Sequence, residues 1–184
     1  MSGWGWFALV AVVVIVLAFL LYLSMTAGRL DRLHRRVEIA QANLESALHR
    51  RRDVADHATT LGLLDPASAM LIADAAARVD ENSGAGAVAN YVAESDLTKV
   101  LAAVFDDPAE VDVVVHEPGG DVFIRLADAC RKVQIGRRFH NDAVSATRSM
   151  RSRPLVRTFR LQGHAQMPLM VEMDDSPPRG FAGR

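Results

Sequence analysis

His49, Asp53 and His57 stand four residues apart, so on a helix they share one face. Imidazoles beside a carboxylate are zinc-ligand chemistry. The helical rise, however, sets the outer two about 12 Å apart, so one ion could hold only neighbouring members. All three also fall off the apolar stripe of their own stretch, and the plainer reading is a solvated face. His140-Asn141-Asp142 offers acid–base groups, but such work needs a partner from another element. His140 keeps the apolar register of its stretch, as a core or boundary histidine would. Cys130, the single cysteine, lies beside that register and reads as a buried structural thiol. Gly84, Gly86, Gly119 and Gly120 lack the lysine and strand context of a phosphate-cradling loop. No Gly-x-Ser-x-Gly and no Cys-x-x-Cys occurs. The sequence therefore assigns no catalytic, cofactor-binding or metal-binding residue, and predicts neither enzyme activity nor a cofactor.

The elements that carry these residues begin with an apolar segment. Of the first 28 residues, 22 are hydrophobic and none is charged. Trp4 to Leu23 is 20 residues, about 30 Å as a helix, which matches the hydrocarbon thickness of a bilayer. Trp4, Trp6 and Tyr22 suit aromatic belts at its two ends. A cleaved signal peptide would need a basic start, a shorter core and a small-residue cleavage site. Here nothing basic precedes the core except the amino terminus, and an uncleaved anchor spanning about residues 4–24 is expected. Arg29, Arg32, Arg35 and Arg36 follow the span and no Lys or Arg precedes it. The positive-inside rule then puts the amino terminus outside and residues from 29 onward in the cytoplasm of a single-pass cell-membrane protein.

From Arg29 to about Leu61 the apolar residues Leu30, Leu33, Val37, Ala40, Leu44, Ala47, Val54, Ala58 and Leu61 recur at three- and four-residue steps. Arg51 is the one polar residue at that spacing. No break separates this stretch from the span except Gly28, so one long helix is expected with a soft joint there. Gly62 stops it. Asp65-Pro66 starts a second helix to about Asp80, with Asp as N-cap and Pro in the first turn. Ser83-Gly84-Ala85-Gly86 is a turn. A third helix, from about Ala87 to Phe105, has Val88, Val92, Leu97, Val100, Leu101, Val104 and Phe105 as apolar positions. Asp107-Pro108 ends it. Val111 to Val115 reads as an extended connector, with a short strand as the alternative. A fourth helix runs from Asp121 to about Ser152 on a seam of Val122, Leu126, Ala129, Val133, Gly136, His140, Ala143, Thr147 and Met150. The fold class is all-α: a transmembrane helix, then an antiparallel four-helix bundle over 29–154. Leu44, Leu101, Leu126 and Val133 are expected to be buried together. Residues 155–173 form an extension packing on the bundle or the membrane surface, and the Pro- and Gly-rich tail 174–184 reads as disordered.

Two stretches resemble the LemA family of membrane-anchored helical proteins. The first runs from Val37-Glu38-Ile39-Ala40 to Leu48-His49-Arg50-Arg51-Arg52-Asp53-Val54. The second is Arg137-Arg138-Phe139-His140-Asn141-Asp142-Ala143-Val144, with Pro154 thirteen residues after Asn141. Val37, Ala40, Asp53, Arg137, Asn141, Val144 and Pro154 are the motif positions. Ala93-Glu94 through Leu97, Leu101 and Phe105 fits the family's third helix. His140 replaces the family's Tyr, Thr147-Arg148 replaces a second Tyr-Asn, and a Pro after the Asp-Leu pair is missing. The chain is thus similar to a divergent member. The resemblance implies an anchored helical bundle and supplies no catalytic residues.

Charge is distributed in blocks. Residues 29–52 hold seven Arg and three acidic residues, 53–128 three basic and fifteen acidic, and 129–184 eleven basic and four acidic. Alternating helix direction would bring Arg29, Arg32, Arg35 and Arg36 to the same end as Arg151, Arg153, Arg157 and Arg160, facing anionic lipid of the inner leaflet. The acidic middle would then face the cytosol. Pairing of the blocks inside the bundle is the alternative. The tether and the acidic middle argue against nucleic acid as partner. The expected partners are the bilayer and a protein, with homo-oligomerisation open. The function expected is a non-enzymatic scaffold or interaction protein. The alternative is a membrane-tethered hydrolase or metal-dependent enzyme using bundle histidines.

Overall fold

In the computed structural model, residues 3–84, 86–161, 163 and 165–183 are described. Ala85 and His164 lie outside these residues, as does the side chain of Val88. Among the described residues every regular element is helical. α1 spans Gly3–Thr60, α2 Pro66–Asn82, α3 Ala87–Val104, α4 Pro108–His116, α5 Asp121–Arg151 and α6 Pro154–Thr158. A 3₁₀ turn follows at Arg179–Phe181.

The helix boundaries follow from local chemistry. α1 passes through Gly28 unbroken and ends where Gly62 takes φ 67°, a left-handed value that glycine adopts without strain. Asp65 caps α2, accepting from the Ala67 and Ser68 amides at 3.0 Å each. Asp107 caps α4 in the same way, accepting from the Ala109 amide at 2.8 Å. This overturns the reading of Val111–Val115 as an extended connector or strand. Asp107-Pro108 does end α3, but it also starts α4, and Val111 is buried as a helical residue.

The chain divides into two units. The first comprises Met1–Ile39 and Asp142–Leu169; the second comprises Ala40–Asn141 and Met170–Arg184. In the first unit, one helix is long and apolar enough to cross a membrane. The most apolar stretch of α1 has mean hydropathy 3.0, and none of it is buried. Beyond that stretch Leu30, Met150 and Val156 form a small core, with Leu33 and Leu161 packed on it.

In the second unit a larger core joins Ala55 and Ala58 of α1, Ile72, Ala75 and Val79 of α2, Leu97 and Leu101 of α3, Val111 of α4, and Val122, Phe123, Leu126 and Cys130 of α5. A separate cluster holds Leu44, Leu48, Val133 and Val171. Leu44, Leu101, Leu126 and Val133 are therefore all buried, but in two cores rather than one. Gly136 lets α5 approach α1: a Cβ there would stand 3.4 Å from the Leu44 Cα.

The tail is not disordered, contrary to the sequence reading. Phe181 is buried, its ring stacked on Phe105 with centroids 4.9 Å apart, and the Gly180 amide donates to the Phe105 carbonyl at 2.8 Å. Apart from the 3₁₀ turn the tail is irregular, and it is held by contacts of its amides and of the Phe181 ring with residues of the helical core.

Candidate functional site

The zinc-like triad does not converge. His49, Asp53 and His57 are all exposed along α1, and Asp53 accepts from Arg52 at 2.8 Å. That bond is the main reason the Arg52 guanidinium is held above its ordinary pKa. Among the described residues no group of three or more His, Cys, Asp or Glu could hold a metal ion. His140 is buried on α5. Cys130 is buried too, and desolvation pushes its thiol pKa up to about 11.

Arg51 is on the buried face, as its spacing indicated, and it has partners. Its guanidinium donates to the Glu94 carboxylate at 2.5 Å, to the Glu94 carbonyl at 3.0 Å and to the Thr98 hydroxyl at 2.8 Å. Both charged side chains are only 2% exposed. The two charges face one another inside the helix packing, and Thr98 donates onward to the Glu94 carbonyl at 3.0 Å.

Of the motif positions of the resemblance Asp53 is exposed, and the others pack, open a helix or hold chain. Val37 and Val144 are buried, Ala40 is half-buried, and Pro154 opens α6. Asn141 clasps the tail, its amide nitrogen donating to the Val171 carbonyl at 3.0 Å and its oxygen accepting from the Val171 amide at 2.9 Å. One turn away, Arg137 grips Asp175 through two bonds of 2.6 and 2.9 Å, and these raise its pKa. The Asp174 amide donates to the Ser95 hydroxyl at 3.1 Å. Nothing in the sequence pairs these residues. The one available signal was two side chains of fixed hydrogen-bonding geometry at i, i+4 on one helix.

The arginines assigned to the membrane interface all fall in the first unit. Arg29, Arg32, Arg35, Arg36, Arg153, Arg157 and Arg160 are exposed. Arg151 is a departure. It is half-buried and donates to the Ala165 and Gln166 carbonyls at 2.9 and 2.8 Å, so it holds chain rather than facing outward. Arg148 does the same at Pro168, at 3.0 Å. The Leu30–Met150–Val156 core brings the α1 and α6 arginines into one neighbourhood. The acidic residues Asp53, Asp56, Asp65, Asp106, Asp107, Glu110, Asp112, Glu117 and Asp121 all fall in the second unit.

No family model, curated protein or solved structure matches this chain.

Proposed function

We propose that this is a non-enzymatic, membrane-anchored scaffold or interaction protein, similar to the LemA family. Its amino terminus lies outside, and residues from Arg29 onward lie at the cytoplasmic face of the cell membrane. The observation that carries the reading is the apolar stretch Trp4–Leu23. It stands exposed as helix along most of its length among the described residues, and four exposed arginines follow it. In water that surface would be a large unfavourable exposure; in lipid it is the expected one.

The proposal includes an antiparallel four-helix bundle. It is supported by the shared core to which α1, α2, α3 and α5 each contribute, and by the short connections from α1 to α2 and from α2 to α3.

The test uses the full chain. Alkaline extraction should leave it in the membrane pellet. A Ser176→Cys variant should resist an impermeant maleimide in intact cells and react after lysis. Cys130 is buried and will not compete. Release by alkali would overturn the anchor, and labelling in intact cells would overturn the orientation. Cross-linked pull-down from native membranes should then recover a protein partner that a chain lacking residues 1–28 does not.

A further inference from the structure

The two sides of α6 differ in kind. Val156 is fully buried against Leu30 and Met150. Leu155 and Phe159 remain 38% and 45% exposed, among the exposed Arg153, Arg157 and Arg160. Arg160 then takes φ 48°, and the Leu161 amide closes the turn on the Val156 carbonyl at 3.1 Å. Phe159 meets Phe19 edge-on, with ring centroids 5.5 Å apart.

That contact gives α6 a depth. Phe19 lies four residues inside the apolar stretch that ends at Leu23, about 6 Å along the helix axis. Helical side chains lean toward the amino terminus, so the Phe19 ring lies on the apolar side of its own Cα. If Trp4–Leu23 crosses the bilayer, the reading on which this inference rests, Phe159 stands at the acyl boundary. Arg29 is six residues past Leu23, about 9 Å, at the outer edge of a headgroup layer about 5–8 Å thick. Arginine stems lie along apolar surface while their guanidinium groups reach the polar layer. Beside α6, Ser152, Pro154, Arg157 and Thr158 line an open cleft of about 410 Å³, with hydroxyls and a guanidinium in one place.

We propose that α6 is a lipid-contact element. Leu155 and Phe159 enter the acyl boundary of the leaflet at the Leu23 end, and Arg153, Arg157 and Arg160 gather the phosphates of anionic phospholipid. Two observations select this occupant: the aromatic contact continuous with the apolar helix, and the charge of the three guanidinium groups. Guanidinium groups and phosphates form paired, charge-assisted hydrogen bonds. Inorganic phosphate or nucleic acid would satisfy the arginines but leave the apolar pair in water.

The experiment uses the full chain with Trp4→Phe and Trp6→Phe, carrying one reporter at a time: Val12→Trp, Phe159→Trp or Leu155→Trp. Each is placed in nanodiscs of equal phosphatidylglycerol and phosphatidylcholine, with bromine on one lipid only. Both lipids should quench Val12→Trp alike. Brominated phosphatidylglycerol should quench Phe159→Trp and Leu155→Trp about twofold more than brominated phosphatidylcholine, reflecting local gathering of the anionic lipid. The excess should vanish near about 1 M salt. It should also vanish in Arg153→Gln/Arg157→Gln/Arg160→Gln and persist in the matching Lys variant. An unquenched Val12→Trp overturns the membrane anchor itself. A quenched Val12→Trp with both α6 reporters silent overturns only the lipid contact. Equal quenching by the two lipids, or an excess that survives the Gln variant, overturns the selection for anionic lipid.

Discussion

Arg51 of α1 and Glu94 of α3 meet at 2.5 Å with both side chains 2% exposed, and the Thr98 hydroxyl accepts a further bond from Arg51 at 2.8 Å. Removing one partner leaves the other charged, buried and unsatisfied. Glu94→Leu or Arg51→Met alone should therefore destabilise by about 3–5 kcal/mol, whereas the double variant should recover most of that loss. Urea unfolding of the full chain in mild detergent, followed by circular dichroism, measures the cycle. Additive losses would show that the pair is not coupled.

The tail should behave as a fastened segment. A Cβ on Gly180 would come within 2.5 Å of Val111 Cγ2 and 2.7 Å of the Phe105 carbonyl oxygen, so Gly180→Ala should cost about 1–3 kcal/mol by overpacking. Phe181→Ala should cost about 3–5 kcal/mol by emptying its place against Phe105. Asn141→Ala should raise amide exchange at Val171 before it raises exchange at Leu126. Hydrogen exchange with mass spectrometry reads all three, and unchanged exchange over 170–183 would contradict the clasp.

Acid should weaken the start of α2. The Ser68 hydroxyl and amide, with the Ala67 amide, hold the Asp65 carboxyl below its usual pKa. A lowered folded pKa gives stability that is present above the unfolded value and lost as pH falls through the folded one. The advantage of the native chain over Asp65→Asn should therefore be constant near neutrality and shrink below about pH 4. An advantage that grows on acidification would reverse the assignment.

Cys130 should be chemically quiet. With its pKa near 11 from desolvation, almost no thiolate exists at pH 8. Alkylation at pH 8 should be slow in the native protein and fast in urea. Because the folded pKa lies above the unfolded one, this group's contribution to stability is complete below about pH 8.5 and declines as pH rises toward 11. Mass spectrometry of the alkylated chain decides it, and rapid native labelling would mean that the α5 seam opens there.

What could be read in advance was what repeats locally. The α5 seam from Val122 to Met150 is buried nearly residue for residue, because a single helical period governs it. Asp65-Pro66 was legible as a start because cap and proline act within one turn. Asp107-Pro108 carried the same signal, but valines at Val111 and Val113–Val115 outweighed it. On α3, Val92 keeps the apolar register and is nevertheless exposed, while the polar Glu94 and Thr98 are buried. Spacing put Arg51 on the buried face but could not name a partner 43 residues away. The basic block was visible as charge. That Arg137, Arg148 and Arg151 spend theirs on Asp175 and on backbone carbonyls depends on where an irregular segment returns, which no periodicity encodes.

The clasp between Ser95 and Asp174 has a consequence in time. It joins points 79 residues apart, while the caps of α2 and α4 close over two or three. Loop closure of that length carries a larger conformational cost than the caps do, so the tail clasp is expected to form after the caps of α2 and α4. Phe181 packs into the same core as Phe105 and Val111, so the tail covers those residues only once this long closure is made. Until it forms, the faces of Phe105 and Val111 that Phe181 and Gly180 cover in the folded chain are open to solvent.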